Sequence, residues 1–149
     1  MDAHATIGAY YDALRAGEPL APFFADSESV VKFGISERLT GHGELAAGLR
    51  AQTETTTGWT VESEALSVTA RDCHAWFSDD VRMAWTDTTA GIRYDFDTRW
   101  SGTLERAGED REREQKRERQ EDAGDTGSGT DGQREWEFVG MHVSTAGDL

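Results

Sequence analysis

Two side chains in the second half of the sequence have the chemistry of a binding or catalytic site, Arg99 and His142. A guanidinium can hold a carboxylate through two parallel hydrogen bonds, and imidazole changes its charge close to neutral pH. Both residues lie in segments that alternate like strands, 92–105 and 135–144, and these strands are expected to pair. Arg99 therefore predicts a site for a carboxylate-bearing ligand, with an ion pair to Asp97 or to a cross-strand carboxylate on a solvated face as the alternative. His142 is either a second ligand contact or a hydrogen-bonded core residue.

Aromatic side chains recur at alternate positions in the neighbouring segments. Trp76 alternates with His74, and Trp85 shares one face of its segment with Val81 and Met83. Rows of this kind usually build a core, and around a concave site they form the apolar wall of a ligand pocket. Trp76 and Trp85 are therefore candidate pocket residues.

The sequence predicts neither a metal site nor a cofactor. Cys73 is the only cysteine, so no internal disulfide can form and no cysteine cluster is available for zinc. The histidines at 42, 74 and 142 are far apart in the sequence, and no glycine-rich phosphate loop is present.

The elements that position these residues predict an α+β domain. Asp2 can cap a helix whose apolar positions recur with helical spacing and which ends at Gly17. Two short strands, 29–34 and 38–40, precede a second helix around Leu45 and Leu49. From Trp59 onward the segments alternate like strands. Three pairs of residues predict the turns that separate these strands: Arg71-Asp72, Asp79-Asp80 and Ala90-Gly91. We expect one domain, 1–149, in which a curved antiparallel sheet wraps around the N-terminal helices.

One segment is not expected to belong to the core. Residues 106–134 contain no apolar side chain larger than alanine, so they cannot bury enough surface to offset the entropy of ordering. The prediction is a disordered or weakly helical charged insertion in the last hairpin.

The charge excludes two classes of partner. The formal net charge is −14, which repels nucleic acid and anionic membranes. Only Lys32 and Lys116 among the fifteen basic residues are lysines, a pattern that resembles acidic proteins of salt-loving organisms. The N-terminal residues lack the basic and apolar regions of a secretion signal, and with a single cysteine the expected compartment is the cytoplasm.

The order of elements resembles the nuclear-transport-factor-two-like superfamily, which includes SnoaL-like cyclases and ketosteroid isomerases. Two stretches carry the resemblance: YYDALRAGEPLAPFFADSESVVKFGISERLTGHGEL at 10–45, and the strand pair FDTRWSGTLER with REWEFVGMHVSTAG. The resemblance implies a cone-shaped fold with an internal ligand pocket and a homodimer.

The resemblance also brings two residues of the first half into the candidate site. Aligned on its Ala-Gly-Glu end, the first helix places Tyr10 where the isomerases have a hydrogen-bonding tyrosine. The same alignment places Lys32 where they have an aspartate base, and a protonated lysine cannot accept a proton. The isomerase base is therefore not preserved.

These observations lead to three hypotheses about function. The first is a small-ligand-binding protein whose pocket lies inside the cone, with Tyr10, Lys32, Trp76, Trp85, Arg99 and His142 as candidate pocket residues. The second is a lyase, isomerase or cyclase that uses Tyr10, Arg99 and His142, which requires these three side chains to converge. The third is a homo-oligomerisation module, expected if the pocket is closed and the outer sheet face is apolar.

Overall fold

The computed structural model of the chain describes residues 1–107 and 135–146. Most of the predicted insertion, residues 108–134, lies outside the described residues. The helical elements are α1 (Ala3–Ala16), a 3-10 turn (Ala21–Phe23) and α2 (His42–Thr55). The strands are β1 (Val31–Phe33), β2 (Arg38–Thr40), β3 (Thr56–Ser63), β4 (Ser67–Ala70), β5 (His74–Asp87), β6 (Ile92–Arg106) and β7 (Trp136–Thr145).

Helix α1 begins and ends where the sequence predicts. The Asp2 carboxylate accepts a hydrogen bond from the Ala5 amide at 2.8 Å, which satisfies one of the free amides of the first turn. Gly17 ends the helix in the left-handed conformation, with φ of 69°, a region that glycine enters without steric cost. Arg15 joins the helix to the sheet, because its guanidinium donates two hydrogen bonds to the Val61 carbonyl.

The seven strands form one curved sheet in the order β2-β1-β7-β6-β5-β3, with β4 pairing the other half of β5. All pairs are antiparallel except β1 with β7, which run parallel. The long strands β5 and β6 pair over their whole length, from His74 with Glu105 to Asp87 with Ile92. The helices pack against the inner face of this sheet, and the apolar core lies between them. The predicted α+β architecture with a curved sheet around the N-terminal helices is confirmed.

The predicted turn at Asp79-Asp80 is wrong, since strand β5 continues through both residues. Asp79 points inward and is only 3% exposed. Its carboxylate accepts hydrogen bonds from the Tyr11 hydroxyl, the Ser63 hydroxyl and the Ala65 amide. A buried carboxylate is stable only when hydrogen bonds compensate its charge in this way. These three donors allow Asp79, a residue type common in turns, to lie inside a strand.

Strand β7 changes the face that its side chains present partway along its length. Thr103 of β6 pairs with Gly140, whereas Leu104 pairs with Phe138, so Val139 is an extra residue. Such a β-bulge shifts the alternation by one position. Consequently Phe138 and Met141 are both buried, and His142 turns to the outer face.

Strands β6 and β7, which flank the predicted insertion, contact each other through the residues next to it. The Arg106 guanidinium lies 2.7 Å from the Glu135 carboxylate, and the Ala107 amide donates to the Glu135 carbonyl at 2.9 Å.

Among the residues that the structure describes, no helix has the length and apolar character needed to cross a membrane.

Candidate functional site

A cavity of about 340 Å³ opens inside the cone, between the inner sheet face and the two helices. Its wall is formed by α1, α2 and the inner residues of the long strands, and its rim by the turn between β1 and β2. The cavity is lined by Tyr10, Leu14, Lys32, Gly34, Ile35, Ser36, Glu37, Gln52, Trp59, Met83, Trp85, Tyr94, Phe96, Trp100 and Val143. Its volume lies in the range of small-molecule sites.

One side of the cavity is an aromatic wall, which we define as Trp59, Trp85, Tyr94 and Phe96. The Trp59 and Trp85 rings stack at 4.8 Å with an interplanar angle of 15°. Trp85 lies 5.4 Å from Tyr94, and Tyr94 is stacked on Phe96 at 6.0 Å. All four rings are half-buried. Flat aromatic faces that stay accessible to a cavity favour a flat, largely apolar ligand.

Trp59 reaches this wall because β3 is irregular beside it. The pairing of β3 with β5 shifts between Thr57 and Thr60, and Gly58 has a φ of 67°. The Trp59 indole also donates a hydrogen bond to the Thr56 hydroxyl at 2.9 Å. The bulge and this hydrogen bond together direct the indole toward Trp85.

Tyr10 places a buried hydroxyl at the cavity. Its ring makes edge contacts with four aromatic rings, those of Phe23, Phe24, Trp100 and Phe138, at centroid distances of 5.3 to 6.1 Å. Tyr10 is 1% exposed, and within the described part of the chain its hydroxyl makes no hydrogen bond. Burial raises the pKa of Tyr10, and the nearby Glu37 carboxylate raises it further, so the hydroxyl keeps its proton and can donate it to an acceptor.

Lys32 and Glu37 form an ion pair on the cavity wall. The ammonium nitrogen lies 2.6 Å from Glu37 Oε1. The side chain of Lys32 is 7% exposed and that of Glu37 is 34% exposed, so the pair is buried at its lysine end and accessible at its carboxylate end. The two charges cancel, and among the described residues the lining contains no other permanently charged side chain.

Gly34 allows Glu37 to reach Lys32. The Gly34 amide donates to the Glu37 carbonyl at 2.9 Å and closes the turn between β1 and β2. The Glu37 side chain then folds back over Gly34. A Cβ atom at position 34 would lie 2.7 Å from Glu37 Cγ and 2.8 Å from Oε1, so a larger residue would displace the carboxylate.

Three of the six predicted pocket residues lie outside the cavity, on the outer face of the sheet. Arg99 stands between the buried residues Thr98 and Trp100 and is exposed, because successive side chains of a strand point to opposite faces. His142 is exposed beside the Phe33 ring at 5.8 Å. Trp76 is 46% exposed and lies under the Arg71 guanidinium.

The structure therefore corrects the predicted convergence of Tyr10, Arg99 and His142. Tyr10 lies on the inner side of the sheet, and the other two side chains lie on its outer side, so they cannot form one catalytic set. Tyr10, Lys32 and Trp85 do line the same cavity.

The comparisons with known proteins identify the family. The family model of the SnoaL-like domain matches residues 3–111. The chain belongs to the SnoaL-like family. A search of curated proteins finds no match to the sequence.

Solved structures agree with the SnoaL-like assignment at the level of the fold. A nuclear transport factor 2-like superfamily protein from Salmonella enterica has a TM-score of 0.69 at 14% identity, with 97% of this chain and 88% of that chain covered. A ketosteroid isomerase-like protein from Erwinia carotovora has a TM-score of 0.66 at 15% identity, covering 97% and 94%. A protein from Streptomyces avermitilis proposed to be a dehydratase has a TM-score of 0.71 at 12% identity, covering 97% and 94%.

Sequence reasoning misses the residue that completes the polar end of this SnoaL-like cavity, Glu37. It lies in a short turn and becomes part of the site only because the turn folds back over Gly34. It also misses Trp59, whose inward direction depends on a bulge. The alternation of Tyr94, Phe96 and Trp100 on one face of β6 is visible in the sequence, and it could have marked that face as the inner one.

No group of three or more histidine, cysteine, aspartate or glutamate side chains suited to a metal ion is present in residues 1–107 and 135–146. Among the described residues, the cavity offers the Tyr10 hydroxyl, the Lys32 ammonium and the Glu37 carboxylate, and Ser36 and Gln52 also line it. These groups can bind an oxygen atom and exchange protons with it.

Proposed function

We propose that this SnoaL-like domain binds a small, flat and neutral molecule that carries one oxygen acceptor. The Tyr10 hydroxyl carries the proposal. A buried hydroxyl without a partner costs free energy, on the order of 1–3 kcal/mol, and a ligand oxygen in the cavity would remove that cost. The aromatic wall would hold the flat part of the same ligand.

The ligand we propose is neutral because the cavity residues that the structure describes offer no unpaired charge. Arg99, on which the expectation of a carboxylate rests, lies on the outer face of the sheet. Lys32, which does line the cavity, is paired with Glu37. A carboxylate that enters the cavity would lose its hydration and gain no unpaired cation, which is unfavourable.

Calorimetric titration with naphthol and with naphthoate at neutral pH tests this proposal, because the two probes share a ring system and differ in charge. We expect naphthol to bind at least tenfold more tightly. Tyr10→Phe should weaken naphthol about fivefold, which corresponds to one hydrogen bond of about 1 kcal/mol. Arg99→Met is the matched control outside the cavity and should change nothing. Tighter binding of naphthoate, lost in Arg99→Met, would contradict the proposal.

An acid–base enzyme is the second candidate, and the accessible Glu37 carboxylate favours it. Its reaction would be that of a lyase, isomerase or cyclase, in which Tyr10 donates to the substrate oxygen and Glu37 accepts a proton. The similar structures from Streptomyces avermitilis and Erwinia carotovora, named after a dehydratase and an isomerase, support this class. Chemical conversion of a bound hydroxy ketone, lost in Glu37→Gln and kept in Arg99→Met, would favour the enzyme over the binding protein.

A module that serves oligomerisation alone is less consistent with the geometry, because the cavity is open and the outer sheet face is mostly polar. The large apolar side chains exposed in the described residues are scattered: Met1, Phe33, Trp76 and Ile92. A homodimer and a cytoplasmic location stay predictions, which sedimentation and fractionation would test.

A further inference from the structure

The buried lysine of the cavity is the group that the ligand-binding proposal does not use. Lys32 is 5% exposed, faces the cavity and has no charged partner in the described residues other than Glu37. Replacing a buried ion pair by well-packed apolar side chains is often neutral or stabilising. Stability alone therefore gives little reason to place a lysine among aromatic rings, whereas its primary amine has a chemistry that no other described side chain of the cavity has.

We propose that Lys32 forms a reversible imine with an aldehyde or ketone bound in the cavity. The inference rests on the proposed function, since it requires a ligand in this cavity, and it identifies the oxygen acceptor of that ligand as a carbonyl. One cavity is lined by the three groups that the reaction uses: an amine, a carboxylate within hydrogen-bond distance of it, and a tyrosine hydroxyl that can donate to the carbonyl oxygen of a bound ligand.

Glu37 is the proton carrier of this reaction. An ammonium has no lone pair, so it must lose a proton before nitrogen can attack, and Glu37 Oε1 is 2.6 Å away to accept it. The nitrogen lone pair then forms a bond to the carbonyl carbon, and the carbonyl π electrons move to oxygen. A second proton passes from nitrogen to that oxygen, and the proton held by Glu37 allows it to leave as water.

The balance of atoms and charge closes without another reactant. Two of the three ammonium protons leave with the carbonyl oxygen as water, and the third stays on the iminium nitrogen. Glu37 is a carboxylate again at the end, so the ion pair of the free protein is replaced by an iminium–carboxylate pair. The buried site thus holds one positive and one negative charge before and after the reaction, which avoids an uncompensated buried charge.

Tyr10 and the aromatic wall would set which carbonyl compounds react. The Tyr10 hydroxyl has no partner within the described residues, and a hydrogen bond to the carbonyl oxygen would polarise the carbon that nitrogen attacks. The wall of Trp59, Trp85, Tyr94 and Phe96 favours an aromatic or conjugated carbonyl compound.

Reductive trapping tests the proposal. The chain has only two lysines, Lys32 and Lys116, so a label on Lys32 is easily distinguished from a label elsewhere. The full-length protein is incubated with naphthaldehyde and sodium cyanoborohydride, and the modified residue is identified by peptide mass spectrometry. We expect the label on Lys32 to form at least tenfold faster than the label on Lys116 or on the terminal amine. Naphthol, which has no carbonyl group, should compete and suppress the label on Lys32 alone.

Two variants connect the label to the geometry. Glu37→Gln keeps the size of the side chain and removes the proton acceptor, so trapping should slow roughly 100-fold, the size of a typical general acid–base contribution. Lys116→Arg is the matched control and should leave the label on Lys32 unchanged. The naphthol competition uses the unaltered protein, so the result does not depend on the folding of any variant.

The outcomes separate this inference from the proposal on which it rests. If naphthaldehyde protects the protein thermally but labels Lys32 no faster than Lys116, the imine is wrong and the ligand-binding function stands. If neither naphthaldehyde nor naphthol binds and no selective label forms, both are wrong. Selective labelling of Lys32 that is as fast in Glu37→Gln would overturn the role of Glu37.

Discussion

Tyr10 and Tyr11 are consecutive residues of α1, and their buried hydroxyl groups have opposite surroundings. The Tyr11 hydroxyl donates to Asp79 at 2.8 Å. The Tyr10 hydroxyl has no hydrogen-bond partner in the described parts of the chain, and Tyr10 lines the cavity. One helix thus supplies a tyrosine that joins it to the sheet and a tyrosine that faces a ligand site.

Removing the two hydroxyls one at a time should have different effects on stability. Tyr11→Phe deprives the buried Asp79 carboxylate of one of its three donors and should lower the free energy of unfolding by about 1.5–3 kcal/mol, the value of a hydrogen bond to a charged group. Tyr10→Phe breaks no hydrogen bond and removes an unpaired buried hydroxyl, so the free energy of unfolding should stay the same or rise by up to about 1–3 kcal/mol. Urea unfolding of both variants measures the difference. Equal losses would mean that the Tyr10 hydroxyl has a structural role.

The same two tyrosines should make the protein less stable in alkaline solution. Burial raises the pKa of both, and the hydrogen bond to Asp79 raises that of Tyr11 further. An exposed tyrosine ionises near pH 10, so above about pH 10 the unfolded chain releases protons that the folded protein keeps. The stabilisation is therefore complete below that pH, and the free energy of unfolding should fall above it by up to about 1.4 kcal/mol per pH unit for each tyrosine.

Unfolding experiments between about pH 9 and about pH 11.5 would measure this slope. Tyr11→Phe is the informative comparison, because it removes one of the two groups and should make the slope shallower. Parallel slopes for the variant and the unaltered protein would show that other groups control the alkaline transition.

The sequence predicts the helices and the long strands well because these elements depend on local patterns. Asp2 and Gly17 delimit α1 in both the sequence and the structure, and the turn at Ala90-Gly91 connects β5 to β6. The site is less accessible to such reasoning. Val139 reverses the alternation of β7 and moves His142 outward, and a single extra residue in a strand has no reliable signature in the sequence.

The position of Glu37 depends on the turn between β1 and β2. Individual contacts, such as the hydrogen bond from the Gly34 amide to the Glu37 carbonyl, set the shape of this turn, and no repeating sequence pattern predicts them. Lys32 attracts attention in the sequence only through the resemblance to the ketosteroid isomerases, which implies an aspartate at this position. Its partner becomes visible only when the hairpin is closed and the carboxylate lies over Gly34. The apolar wall of the cavity was thus partly predictable, whereas its polar end was not.

Two glycine-to-alanine substitutions test how Gly34 supports the site. Gly34→Ala places a methyl group 2.7 Å from Glu37 Cγ, so the Glu37 side chain must shift, and we expect its hydrogen bond to Lys32 to be lost. The expected loss is about 1–3 kcal/mol, because a buried charge loses its hydrogen-bond partner. Gly8→Ala is the matched change in α1, where a Cβ atom meets nothing within 4 Å, and it should stabilise the helix by about 0.5–1 kcal/mol. If the Gly34→Ala variant is as stable as the Gly8→Ala variant and naphthaldehyde still labels its Lys32, the Glu37 carboxylate can reach Lys32 without a glycine at position 34.

The acidic composition predicts that salt stabilises the protein. With a formal net charge of −14, repulsion between carboxylates opposes the compact state. The Debye length falls from about 10 Å at 0.1 M to about 3 Å at 1 M salt, so the melting temperature should rise over this range of KCl. The pair of Lys32 and Glu37 is buried at its lysine end, and the screening of this one pair should not cancel the gain. A melting temperature that is constant or falls with KCl would contradict the interpretation as a salt-adapted protein.

Replacing residues 108–134 by an Asn-Gly turn should leave the fold and the cavity intact. The strands on either side are already joined, because Arg106 pairs with Trp136 in the sheet and the Ala107 amide donates to the Glu135 carbonyl. A shorter loop has a smaller closure entropy, and Asn-Gly suits a two-residue hairpin. The melting temperature should change by less than about 5 °C. Naphthol affinity should be unchanged, since the described residues 1–107 and 135–146 already supply the aromatic wall and the polar end of the cavity. Loss of a cooperative melting transition would instead show that the charged segment packs against the sheet.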